Sequence, residues 1–319
     1  MRSRRRAARS HRFLVVGVAS AALLGAGCSG DDDAAGATST TAEAPDDTST
    51  IAPSSTVADG ADVDQAAPDG ANGIKVASDG TLWIASVKSD LVLQVDATSG
   101  RILRRVEVPE GSAPDDVALG DDGAVYWTGY LTGDVGRIAK GSDESTVLAN
   151  VGPGANPVAV RDDGTLIVGR AGTGTGLFTI DPAGDPTPVA LGDPGNINSF
   201  DLDTDGRLFS PGLDTPSVIE IDADTGETLR TVAPIDGTPI ALRWHDGSIY
   251  VLVLGDEARV ERVDPATGVS EPFGETGLPI ADNLAVADDG TVFVTGLTTA
   301  TVTVLGADGT IERTIAIGG

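Results

Sequence analysis

The chain has 319 residues, a formal net charge of −27 at neutral pH, one Cys, two His and only 4% aromatic residues. A single Cys excludes an internal disulfide framework and any multi-Cys zinc or iron–sulfur site, and the acidity excludes nucleic acid as a partner, because its phosphates would be repelled. With 40% hydrophobic residues the chain can bury a core, so disorder throughout is excluded as well.

All six basic residues among the first 27 are arginines (Arg2, Arg4, Arg5, Arg6, Arg9 and Arg12), and no acid precedes Asp31. Phe13 to Gly27 is then an uncharged, mostly apolar run of 15 residues. A membrane span needs roughly 20, so this run fits the apolar region of a cleaved export signal. Cys28 follows at once. The arrangement resembles a bacterial lipoprotein signal, in which the Cys is diacylated and becomes the new N-terminus, although Leu24 stands one place earlier than the usual box has it. That resemblance implies a signal peptide over 1–27, lipidation at Cys28, and a protein exported and anchored at the outer face of the cell membrane through its lipid alone. An ordinary secretory signal with an incidental Cys is the alternative. Residues 28–70 are rich in Ser, Thr, Ala, Pro and Asp and hold no aromatic residue. They have too little apolar surface to offset ordering entropy, which predicts a disordered acidic linker.

From residue 71 onward one unit recurs six times. Asp-Gly pairs place glycines at Gly80, Gly123, Gly164, Gly206, Gly247 and Gly290, with spacings of 43, 41, 42, 41 and 43 residues. An apolar run precedes each pair (Ile74–Val76, Val117–Leu119) and a second follows it (Leu82 to Ile84, Val292 to Val294). A third run ends in an apolar residue and Asp (Val95-Asp96, Ile221-Asp222, Val263-Asp264), and a turn leads to an outer fourth. Periods of about 40–45 residues built from short strands predict β-propeller blades. The expected fold is therefore all-β, a six-bladed propeller of four-stranded blades over 71–319. Its blades fall at 71–110, 111–152, 153–193, 194–236, 237–277 and 278–319. Each blade occupies one contiguous stretch, and residues 50–65 are the candidates if a swapped strand closes the ring.

The repeat also sorts residues by face. Turns between strands one and two, and three and four, share one face; the two-to-three loops and the blade connections share the other. Small-molecule sites sit at a mouth of the central channel. Turn aspartates such as Asp79, Asp122, Asp163, Asp246 and Asp289 read as solvated turn residues, and His245 falls on the turn face, away from any mouth site. The run Asp201-Leu202-Asp203-Thr204-Asp205-Gly206 matches the first half of a calcium loop but has Gly212 where the bidentate acid belongs. It is a secondary metal candidate or an acid-rich turn. The informative column lies eight residues before each turn glycine and reads Asn72, Asp115, Asn156, Asn198, Pro239 and Asp282. Six strand entries converge on one mouth, so these oxygens can form a ring suited to calcium or magnesium. The same residue types also cap strand entries by bonding their own backbone.

At this column the run from Asn72 to Ile84 resembles the blade motif of the senescence-marker-protein/gluconolactonase group, with similar motifs in NHL-repeat propellers and streptogramin lyases. The resemblance covers about residues 71–319. It implies a divalent metal site that polarises a sugar lactone for hydrolysis. By position, Asn72, Asn156 and Asn198 match the family's Asn residues, and Asp115 or Asp282 its Asp; the column holds no Glu, and the family's substrate-orienting Arg is missing. The expected metal ligands are Asn72, Asp115 and Asp282, with calcium as the cation and Asp115 and Asp282 as catalytic bases. Ligand contacts are expected from Asn72, Asn156 and Asn198, joined by Tyr130 and Arg170 from the two-to-three loops. Two functions remain open. One is a monomeric, membrane-anchored propeller binding a small polar molecule, a glycan or an envelope protein. The other is a metal-dependent hydrolase of sugar lactones or related esters.

Overall fold

Alternation of apolar with small or polar residues gives each short strand a buried face, and the Asp-Gly pairs reverse the chain between strands. In the computed structural model, which describes residues 63–172 and 174–319, this produces six antiparallel sheets of four strands. The predicted signal peptide, Cys28 and residues 28–62 of the predicted linker lie outside the described residues. The innermost strands are Ile74–Val76, Pro114–Leu119, Ala155–Val160, Asp201–Leu202, Thr238–His245 and Ala281–Val286. In every blade the four strands are consecutive in sequence, so among the described residues no strand is exchanged between blades.

The turn glycines all lie in the left-handed region, with φ from 78° at Gly123 and Gly206 to 85° at Gly290. A Cβ added at Gly80, Gly164, Gly206 or Gly247 would meet nothing within 4 Å, so backbone conformation alone demands glycine there. Gly206→Ala is expected to lower stability by about 1–2 kcal/mol, the cost of holding an L-residue in that region; an unchanged urea midpoint would show that the turn relaxes freely. Four of the preceding aspartates, Asp79, Asp122, Asp163 and Asp289, bond their own turns, and in blade 4 Asp203 takes that part. Asp79 Oδ1 accepts from Thr81 Oγ1 at 2.7 Å and Thr81 N at 3.0 Å, which holds its carboxyl below the usual range.

Blade 5 departs from this pattern. Asp246 joins Gly247 at positive φ (43° and 80°), and His245 pairs directly with Ser248 in a two-residue turn. Elsewhere the turn is longer, as where Ala77 N bonds Thr81 O and Gly80 N bonds Ala77 O. Blade 5 therefore loses one residue between inner strand and turn glycine. Pro239, expected in the polar column, is displaced by one place; Ile240 stands there instead, and its carbonyl accepts from Asn198 Nδ2 at 3.1 Å.

The hydrophobic core is divided among the blade interfaces. Ile74, Leu82 and Ile84 of blade 1 pack with Phe293, Val302 and Val304 of blade 6, which joins the last blade to the first. Thr295 Oγ1 donates to Asn72 O across that seam at 2.8 Å, and Gly318 N donates to Gly100 O at 2.9 Å. Of the stretch 50–65, residues 63–65 are described. They form no strand, but Gln65 Nε2 donates to Ile102 O and its Oε1 accepts from Ile102 N, both at 2.9 Å. One carboxamide thus serves both backbone groups of a residue in the outer strand Ile102–Glu107.

Candidate functional site

The inner strands enter from the loop face, and their first residues meet around the channel mouth. Asn72, Asp115, Asn156, Asn198 and Asp282 are all buried. The three amides reach the next blade rather than their own backbone. Asn72 Nδ2 donates to Asp115 Oδ1 at 2.9 Å, Asn156 Nδ2 to Asn198 Oδ1 at 2.9 Å, and Asn198 Nδ2 to Ile240 O. The column therefore bridges blade 1 to 2, blade 3 to 4 and blade 4 to 5. Asn72 Oδ1 alone among these amides is buried with no partner. Burial, and then the charge of neighbouring Asp116, push the Asp282 carboxyl up to about 7.

Of the predicted loop contacts, Tyr130 lies within electrostatic reach of the column: burial, and then the charge of Asp115, raise its phenol. Arg170 is held within its own loop and against a neighbouring connection. Its Nε donates to Gly174 O and its Nη1 to Val151 O at 3.0 Å, while the guanidinium lies 5.4 Å from the Phe178 ring. It braces its own glycine-rich loop against the connection between blades 2 and 3. A Cβ on Gly172 of that loop would lie 3.6 Å from the Tyr130 hydroxyl, so the brace borders the mouth.

Beneath the ring lies a layer that the column did not reveal. Lys75, Ala118, Ala159, Asp201, Arg243 and Ala285 pair with corresponding residues of the second strands (Trp83, Tyr126, Ile167, Phe209, Tyr250 and Phe293) and share one level of the channel. Arg243 of blade 5 crosses to Asp116 of blade 2, opposite it in the ring, with Nη2 3.4 Å from Oδ1. The two side chains are 3% and 1% exposed. Arg243 also donates to Asn283 Oδ1 (2.9 Å), Ser199 Oγ (3.1 Å) and Leu242 O (2.8 Å). Lys75 of blade 1 likewise crosses to Asp201 of blade 4 at 3.2 Å. Both pairs span the ring from one blade to the blade opposite. Asp116 and Asn283 stand one residue after the column and Lys75 and Asp201 three, so a strand alternation begun one place beyond the column would have reached them. Arg243 escapes that count because the short blade 5 hairpin shifts it by one.

The turn face holds a cleft of about 840 Å³, floored by Lys75 and Asp201 and rimmed by the turns of blades 3 and 4. The calcium-like run Asp201 to Gly206 lines it, but its carboxylates diverge. Asp201 serves Lys75 and Trp244 N, while Asp203 accepts from Asp205 N, Arg207 N and Arg207 Nε. His245 stacks edge-on against Tyr250, its ring centroid 6.2 Å away. Among the described residues no group of three or more His, Cys, Asp or Glu is placed to hold a metal. A cation at the loop-face ring would instead rest on a mixed amide and carboxylate set. The observation that favours one there is the unpartnered Asn72 Oδ1, with a buried carboxylate on its own amide group.

A family model described as strictosidine synthase-like, N-terminal, matches residues 100–138, a segment that includes Asp115 and Asp116. Among solved structures, a streptogramin B lyase is 16% identical over 78% of this chain and 83% of that one, with a TM-score of 0.61. The chain is a six-bladed β-propeller. The virginiamycin B lyase of Staphylococcus aureus, solved as a catalytically inactive His-to-Ala variant with quinupristin, is 16% identical to this propeller. It covers 78% of this chain and 84% of that one at a TM-score of 0.59. The PQQ-bound aldose sugar dehydrogenase of Streptomyces coelicolor is 19% identical, covering 76% and 90% at a TM-score of 0.55. No curated protein matches the sequence. Such likenesses show the shared fold, and function has to be argued from the propeller's own site.

Proposed function

We propose that the protein is an exported, lipid-anchored propeller that binds a small polar molecule at its Asn/Asp mouth. A divalent cation, calcium by preference for an all-oxygen donor set, would be held there by Asn72, Asp115 and Asp282. The observation that carries this reading is Asn72 Oδ1, buried and unpartnered while Nδ2 of the same amide is spoken for by Asp115. A buried acceptor left unpaired costs about 1–3 kcal/mol, and a ligand or ion that completes it recovers that. Asn156 and Asn198, already bridging blades, would give the mouth its shape, and Tyr130 would offer its hydroxyl at the rim. A glycan or an envelope protein presenting the same hydroxyl-rich chemistry fits equally. The anchor at Cys28 would hold the acidic propeller outside the membrane as a monomer.

The test is calorimetric titration of calcium into the full chain and into its Asp115→Asn and Asp282→Asn variants. One site, weakened at least tenfold in both variants, is the expected result, because each carboxylate removed takes a charged ligand from the ion. Heat unchanged in both variants would remove the cation from this mouth.

A second reading is favoured by Asp282, whose carboxyl near 7 can hold and release a proton at neutral pH. In it the propeller hydrolyses sugar lactones or related esters. Asp282 would take the proton from an attacking water, Asp115 would orient Asn72 through their hydrogen bond, and Asn72 and Tyr130 would position the substrate. A bound cation would supply polarisation of the carbonyl. A gluconolactone hydrolysis rate that rises through pH 7 and vanishes in Asp282→Asn would establish this reading, whereas a rate equal in both proteins would discard it. Histidine-dependent lyase chemistry finds no support, since His245, the one His among the described residues, lies on the turn face.

A further inference from the structure

The chain has three lysines, Lys75, Lys88 and Lys140. Lys88 pairs with the exposed carboxylate of Asp69, and Lys140 is exposed. Lys75 is enclosed. Its side chain is 18% exposed at the floor of the turn-face cleft, 3.2 Å from Asp201 Oδ1. Val76, Ala118, Leu119, Ala159 and Val160 give the cleft an apolar side. The cations at its rim are turned to carboxylates, Arg161 to Asp224 at 3.0 Å and Arg207 to Asp203 at 2.6 Å. What a ligand would find in this cleft is one amine, one carboxylate beside it, an apolar wall and an acidic rim.

We propose that the cleft is a second site, in which Lys75 captures a small uncharged aldehyde or ketone, such as an open-chain sugar, as an imine. Desolvation and a neighbouring cation make a lysine amine nucleophilic, and a carboxylate beside it can relay its proton. Burial, and next the charge of Arg243, pull Lys75 below the usual lysine range, against the opposing pull of Asp201 and Asp116. The proton of Lys75 passes to Asp201, and the amine lone pair forms the C–N bond as the carbonyl π bond opens. The oxygen takes the proton back from Asp201, giving a carbinolamine. A second proton, relayed from nitrogen through Asp201, lets the hydroxyl leave as water, and no oxidant or reductant is needed. The acidic rim repels anionic carbonyl compounds, so oxo acids and phosphosugars are disfavoured. This site is distinct from the loop-face mouth, since none of Asn72, Asp115 or Asp282 lines the cleft.

The test is reductive trapping of the full chain with glyceraldehyde and cyanoborohydride at pH 7, read by peptide mass mapping. Lys75 is expected to be labelled severalfold faster than Lys88 and Lys140, since burial leaves more of its amine unprotonated beside the proton-accepting Asp201. With glyoxylate, an anionic aldehyde, the Lys75-to-Lys88 ratio is expected to fall severalfold. Asp201→Asn weakens the ion pair and by itself would free the amine. A Lys75 rate that nevertheless drops about tenfold while Lys88 is unchanged would therefore report the lost proton relay. Labelling of Lys88 and Lys140 with Lys75 unmodified would overturn the site. A rate in Asp201→Asn equal to or above the parent's would overturn the role of Asp201.

Discussion

Replacing Arg243 by Leu is expected to destabilise the propeller by about 3–5 kcal/mol, the usual cost of leaving one member of a buried ion pair uncompensated. Arg243 and Asp116 are each almost fully buried, and Arg243 also bonds Asn283 and Ser199 on the two blades that flank its own. Removing the cation strands the Asp116 carboxylate in the low-dielectric centre of the ring. Burial already raises that carboxyl, against the pull of Arg243 and Lys75. Without Arg243 it should rise further, so the penalty belongs to the ionised form and shrinks as pH falls and Asp116 takes up a proton. Adding Asp116→Asn to the Arg243→Leu protein should recover a large part of the loss, because an amide carries no charge to strand. Urea midpoints at pH 5 and pH 8 for the parent, the single variant and the double variant decide the matter. A loss below about 1 kcal/mol at pH 8 would mean that the pair contributes no more than an exposed one.

The second large effect concerns pH. Asp282 has a carboxyl near 7 in the folded protein, against an ordinary value of 3.8. A carboxyl raised on folding binds a proton in the native state that the unfolded chain has released. Its contribution is therefore fully present below about pH 4 and is lost as pH rises through 7. The span of roughly three pKa units sets an upper bound of about 4 kcal/mol, at about 1.4 kcal/mol per unit. The turn aspartates act in the opposite sense, since hydrogen bonds hold Asp79, Asp122, Asp163 and Asp289 low and their contribution fades on acidification. The wild-type curve sums both kinds of group, so the difference between wild type and Asp282→Asn is the informative quantity. That variant should gain stability over wild type steadily from pH 4 to pH 8, by up to about 4 kcal/mol. Parallel stability curves would show that Asp282 is ionised at neutral pH without penalty. If a cation occupies the mouth, calcium should restore the wild type above pH 7 and leave the variant untouched.

What could be read along the chain was whatever is imposed by local conformation. Each Asp-Gly turn needs a glycine at positive φ, a demand that recurs at every blade, and an Asp side chain bonds the turn in every blade but the fifth. The repeat, the strand order and the Asn/Asp column all follow from that local rule. Pro239 marks its limit: one residue fewer in the Asp246-Gly247 hairpin moves Ile240 into the column and Arg243 into line with Lys75 and Asp201. A positive φ at an Asp is a weak sequence signal, so the shift was invisible.

The rest depends on ring closure. Lys75 and Asp201 are 126 residues apart and Arg243 and Asp116 are 127 apart; they meet because a six-membered ring sets blade 1 against blade 4 and blade 2 against blade 5. No periodicity along the chain encodes contact across an axis that exists only once the ring has closed. The same geometry leaves Asn72 Oδ1 without a partner and drives the Asp282 carboxyl upward. The chemistry of the mouth therefore belongs to the folded ring, while the residue types that supply it were legible from the chain alone.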